Sequence, residues 1–182
     1  MLDANNAWKD LPSALGALRL WEESNPYWIE EPFSPDDIIN HARLARETPI
    51  SVATGEIEAG RWRSKELLDA GGAIILQQDA AVCGGISELR RIADLASAYG
   101  ATLCPHWFHD LHAPLVGAFP SGQFVEYFVG NGVHNLCDVL DRQLSFENGE
   151  LILHEHPGLG FDFDEAALKQ YLIGNWQTVS EG

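Results

Sequence analysis

Positive charge is scarce in this chain: 11 Lys and Arg stand against 27 Asp and Glu in 182 residues, a formal net charge of −16. Binding to a nucleic-acid backbone or an anionic membrane needs clustered Lys and Arg that release counterions, so this shortage argues against both partners. Cysteine is also rare. Cys83, Cys104 and Cys137 are odd in number and lack metal-type spacing, which favours reduced, buried thiols over a disulfide framework. No apolar run is long enough to cross a membrane, no secretory leader is recognisable, and no low-complexity tract interrupts the chain. A cytoplasmic globular protein with an acidic surface is expected. Its 46% hydrophobic residues are enough to build a core for one domain.

What the sequence does contain is a repeated pairing of apolar run and ionisable residue. Tyr27-Trp28-Ile29 stops on Glu30-Glu31-Pro32, which reads as a buried strand ending in charge. Asp3 follows Met1-Leu2, Glu56 follows the run from Ile50 to Gly55, and Asp79 follows Ala73 to Gln78. His106 follows Ala101 to Pro105, and Glu126 follows Phe124-Val125. The intervals are 20 to 27 residues, about one strand plus its return helix. The spacing predicts six consecutive βα units and an α/β fold. A closed (β/α)8 TIM barrel usually takes about 250 residues and eight strands, so the expected architecture is a partial barrel, cut at its amino-terminal side.

Between these strand ends the helical signals are clear. The pattern predicts helices from Leu11 or Pro12 to Glu23, after a Ser34 cap with Pro35 in the first turn, from Arg61 to Ala70, and from Ile86 to Tyr99. His109 and His112 fall at helical spacing in the segment from Trp107 to Ala118, and a brief sixth strand is expected over Gln123 to Glu126. Beyond Phe128 the period breaks. Leu144 to Leu153 reads as a hairpin turning at Asn148-Gly149, followed by a helix from Asp164 to Leu172. The expected division is therefore 1–128, the partial barrel, and 129–182, the end of the barrel with a return segment.

In parallel βα folds the carboxyl ends of consecutive strands gather on one face, where barrel enzymes keep their sites. Asp3, Glu30 and Glu56 would converge there as an all-oxygen, triply anionic set, which suits Mg²⁺ rather than Zn²⁺. The next strand ends supply Asp79, His106 and Glu126. An aspartate bonded to one imidazole nitrogen makes the other a better base, so Asp79 and His106 form a general-base candidate. Facing a metal-bound substrate, such a pair could remove the proton next to a carboxylate while the metal holds the enediolate oxygens. Taken singly, a strand-end acid is more often a cap or a solvated charge; six in register favour a site. Glu31 is expected to point away, because neighbours on a pleated strand face opposite sides. His109, His112, His134, His154 and His156 read as solvated or packed, with His109 close enough to support the site. Cys104 reads as core, and the Trp residues read as core or interface, with Trp107 the least settled.

Asp3-Ala4-Asn5, Trp28-Ile29-Glu30-Glu31-Pro32, Gly55-Glu56, Asp79 with Gly84-Gly85, Pro105-His106 and Glu126 together resemble the enolase superfamily, mandelate racemase subgroup. The resemblance runs from residue 1 to about 175 and corresponds to strands three to eight of that family's barrel. It implies that Asp3, Glu30 and Glu56 bind Mg²⁺ and that His106 with Asp79 is the acid/base dyad. It also implies that Glu126 hydrogen-bonds the substrate carboxylate or its enediolate, and that Asn5 and His106 contact substrate. The muconate lactonizing branch carries a lysine at the end of its sixth strand, whereas Ile74 to Cys83 contains none. The pattern is closer to acid sugar dehydratases acting on aldonic or aldaric acids. The family's capping domain and first two strands, with a basic pair on the second, have no counterpart here; the tail would rejoin such a domain. Three readings follow: a sugar-acid dehydratase that is a homo-oligomer at full length, a racemase or epimerase of a 2-hydroxy acid, or an inactive assembly partner.

Overall fold

Five short parallel strands lie side by side in chain order in the computed structural model, which describes residues 1–129 and 136–174. They are β1 (Leu2–Asp3), β2 (Trp28–Glu30), β3 (Ser51–Thr54), β4 (Ile75–Leu76) and β5 (Thr102–Leu103). Helices return the chain after each: α1 (Leu11–Leu18), α2 (Ile38–Glu47), α3 (Gly60–Ala70), α4 (Ala80–Cys83) with α5 (Ile86–Tyr99), and α6 (His109–Ala118). Sequential parallel order with a helix in every crossover is the expected βα repeat. The chain forms two compact units, Met1–Glu126 and Tyr127–Gly182.

The pleat sorts the first unit's apolar residues into two sets. Ile29 and Val52, which pair across β2 and β3, join Leu76 and Leu103 in a buried cluster with Leu18, Leu44, Leu67, Leu89 and Ile92 from the helices. Their alternating neighbours Trp28, Ala53 and Ile75 form a smaller cluster with Cys104, on the other face of the sheet. Glu30 is in register with Ala53, and Asp3 with Glu30. The last residues of β1 and β2 therefore project from the same face as the small cluster, away from the helices.

Local chemistry sets the helix ends. The Asp10 carboxylate accepts from the Ser13 N–H at 2.9 Å and starts α1, and Gly71 and Gly100, both at φ +69°, end α3 and α5. Two expectations need correction. The helix predicted to reach Glu23 stops at Leu18: Leu20 is exposed, a short 3₁₀ turn covers Glu22–Ser24, and Asn25 turns left-handed at φ +46°. The second helix starts after Asp37 rather than Ser34, because the Asp37 carboxylate accepts from the Asn40 N–H at 3.1 Å.

The sixth strand is reduced to one parallel bridge between Leu103 and Gly122. The Leu103 N–H donates to the Ser121 carbonyl at 2.7 Å and the Gln123 N–H to the Leu103 carbonyl at 3.1 Å, so the segment still docks on β5. In the second unit, β6 (Ser145–Glu147) and β7 (Glu150–Ile152) form the expected antiparallel hairpin, with Asn148 and Gly149 both at positive φ. Asp164 caps α7 (Glu165–Tyr171). His134 lies outside the described residues. Among those described, no helix is long and apolar enough to cross a membrane.

Candidate active site

The residues beyond the carboxyl ends of the strands form one electrostatic cluster. Asp3 and Glu30 are the final residues of β1 and β2, while Glu56, Asp79 and His106 lie two or three residues beyond β3, β4 and β5. Burial raises the Glu30 carboxyl above its ordinary value, with Asp3 and Glu126 adding to the rise and hydrogen bonds from Gln77 and Trp28 opposing it. Glu56 is raised in the same way, first by burial and then by Asp3, Glu126 and Asp79, while His106 pulls it down. The Trp28 Nε1–H donates to the Glu30 Oε2 at 3.1 Å and fixes one carboxylate oxygen. Asp3 accepts the Asn5 backbone N–H at 2.7 Å, so the contact of Asn5 with the acids runs through its main chain.

These acids gather at one end without closing into a tight shell. The ligand atoms of Asp3, Glu30 and Glu56 are not all within 4.8 Å of one another. Like charges brought together in a partly buried place repel. The donor set nevertheless fits a hard divalent cation: three carboxylates from adjacent strands, with no thiolate or imidazole among them, and two of them, Glu30 and Glu56, pushed toward protonation by burial and the charges of Asp3 and Glu126.

His106 and Asp79 lie side by side. The His106 Nδ1 lies 3.3 Å from the Asp79 Oδ2, and the His106 Nε2 lies 3.7 Å from the Glu56 Oε1. Asp79 is 1% exposed, and its other oxygen accepts the Ala81 N–H at 2.7 Å. Burial alone would lower the His106 pKa, but the Asp79 hydrogen bond and the charges of Glu56 and Glu126 outweigh it, and the net direction is upward. The Trp107 ring stacks on the imidazole with centroids 5.3 Å apart. The Trp107 N–H donates to the Glu126 Oε2 at 2.8 Å, joining the last strand end to the same group.

Glu31 corrects the expectation that it points away. At φ +40° it leaves the pleat, so the alternation rule no longer applies to it. It is 1% exposed, its Oε2 accepts the Asn6 Nδ2–H at 2.7 Å, and it faces the charges of Glu56, Asp3 and Glu30. Burial first, and then those charges, push its carboxyl up to about 7. No sequence signal announces this, because the residue before a proline is ordinarily held extended, whereas Glu31 sits in the left-handed region.

His109 is buried beside Asp110, with its Nε2 3.1 Å from an Asp110 oxygen. His112 is fully buried and hydrogen-bonded within the site's turns, while His154 and His156 are exposed. Cys83 and Cys104 are buried free thiols. Trp28 is core, whereas Trp62 is exposed and stacked under Arg61.

The chain is 34% identical over 167 residues to the L-talarate/galactarate dehydratase of Salmonella typhimurium, matching 92% of this chain and 40% of that enzyme. It is 35% identical over 167 residues to the D-galactonate dehydratase of Ralstonia nicotianae, matching 85% of this chain and 43% of that enzyme. The crystal structure of L-talarate dehydratase from Polaromonas sp. JS666, complexed with Mg and L-glucarate, superposes with a TM-score of 0.83 at 31% identity. That match covers 92% of this chain and 46% of that one. The chain thus spans less than half the length of these relatives. Residues 1–167 match the model for the enolase C-terminal domain-like family, and the chain belongs to that family.

Proposed function

We propose that this chain carries the proton-transfer half of a Mg²⁺-dependent sugar-acid dehydratase, with Asp3, Glu30 and Glu56 as the metal ligands. The observation that carries the reading is the placement of His106. One ring nitrogen is held by buried Asp79 and the other is presented toward Glu56 and the strand-end acids. The acid cluster would be neutralised by Mg²⁺, which when bound would also polarise a substrate carboxylate. Two relatives named as dehydratases, and a related structure holding Mg with L-glucarate, support an aldonic or aldaric acid as substrate.

In this reading the chain's own residues carry the following steps. Asp79 accepts a hydrogen bond from the Nδ1–H and so keeps the His106 Nε2 free to take the substrate's α-proton, leaving an enediolate. Protonated His106 then returns that proton to the β-hydroxyl as it leaves, so water departs and an enol remains to become the 2-keto-3-deoxy acid. Glu126, held by the Trp107 N–H, is assigned to the substrate carboxylate or its enediolate, and Asn5 to a polar contact next to the metal. Glu31, buried against the acids through Asn6, is pushed toward its neutral form by burial and their charges.

Incubation of the protein with galactarate and with galactonate in D₂O containing MgCl₂ tests the reading. Keto-acid formation is expected, abolished by EDTA and reduced about 10²- to 10⁴-fold by His106→Asn. Deuterium entering the α-carbon with no loss of water would replace the dehydratase by a racemase or epimerase.

A further inference from the structure

His112 is fully buried on α6, and both of its ring nitrogens are committed. Its Nδ1 lies 2.8 Å from the Trp107 carbonyl oxygen, which can only accept, so Nδ1 carries the proton. Its Nε2 lies 3.0 Å from the Ala80 N–H, which can only donate, so Nε2 carries a lone pair. The two partners therefore specify a single neutral tautomer. The Asp79 Oδ1 lies 3.5 Å from the same Nε2 but is occupied by the Ala81 N–H at 2.7 Å.

The two backbone groups that His112 joins belong to different strand ends. Ala80 follows Asp79 after β4, and Trp107 follows His106 after β5. The Trp107 backbone is held at both of its polar groups: the residue sits at φ +53°, its carbonyl accepts from His112, and its N–H donates to Glu126. One buried ring thus links the turns that present Asp79 and His106, and the Trp107 N–H extends the link to Glu126.

We infer that His112 is a positioning residue: a permanently neutral cross-tie that holds the turns after β4 and β5 at the separation at which Asp79 reaches His106. The inference rests on the dyad reading for its functional meaning, although the tie itself stands apart from catalysis. Losing it leaves a buried N–H and a buried carbonyl without a partner, which favours local opening of both turns.

Selective ¹⁵N-histidine labelling tests this directly on the 182-residue protein. In the unsubstituted chain, His112 should show one protonated Nδ1 and one unprotonated, hydrogen-bonded Nε2 throughout pH 5.5 to 8. His112→Phe should move the His106 ring resonances and speed exchange of the Ala80 amide roughly 10- to 100-fold. His112→Gln, which keeps one donor and one acceptor, should restore both toward the parent. An Nε2-protonated or charged His112 would overturn the inference. So would unmoved His106 resonances in a His112→Phe protein whose circular dichroism matches the parent. If His112→Phe fails to fold, the tautomer in the parent and the spectra of His112→Gln decide the matter. None of these readouts depends on turnover, so failure of the dehydratase assignment is separately visible.

Discussion

Glu31 carries a pH dependence that belongs to its single carboxyl. Its pKa rises on folding from 4.5 to about 7, so between those values the folded chain holds a proton that the unfolded chain releases. This contribution is harmless below about pH 4.5, grows less favourable as pH rises through the window, and is fully destabilising above about 7. In EDTA, Glu31→Gln is therefore expected to raise the melting temperature relative to the parent by more at pH 8 than at pH 5. An equal change at both values would show that the carboxyl ionises as it does in the unfolded chain. At this scale sequence reasoning found six ionisable strand ends yet placed Glu31 on the wrong side, because alternation assumes a pleat that a left-handed backbone abandons. His112 was invisible for a different reason: its partners are main-chain atoms at residues 80 and 107, which no side-chain motif announces.

Among elements, the βα crossovers were legible where periodicity, a cap and a terminating glycine agreed, as in α3 and α5. The end of α1 was not. Trp21 continues the helical spacing, but the chain turns at Arg19 and Leu20 and leaves Trp21 exposed. The sixth strand failed because Phe124 and Val125 give too short an apolar run to distinguish a strand from a docked segment. The turn after β3 has a sharper requirement. Gly55 sits at φ +122°, and a Cβ there would lie 2.2 Å from the Gln78 Nε2. Gly55→Ala should therefore lower the melting temperature and displace Glu56, weakening Mg²⁺ binding along with stability. Calorimetry of the variant checks both. For comparison, Leu103→Ala in the main core should cost about 2–5 kcal/mol by chemical denaturation, with the remaining native fraction binding Mg²⁺ as before.

For the molecule as a whole, the recurrence of strand and acid foretold the α/β class, since parallel βα units leave one face for function, while the family was legible only through the resemblance of its motifs. The separation of the acids was beyond a one-dimensional reading, because it depends on repulsion and on side-chain direction at the rim. The central claim is that Asp3, Glu30 and Glu56 take one Mg²⁺ beside the Asp79–His106 pair. Isothermal titration of MgCl₂ into the chain at pH 7.5 measures it most directly. One site per chain is predicted. Glu56→Gln and Glu30→Gln should each weaken it roughly 100-fold or more, beyond the loss typical of an outer partner, while Glu22→Gln on the exposed 3₁₀ turn should leave it unchanged. Binding in Glu30→Gln and Glu56→Gln that matches the parent would contradict the account.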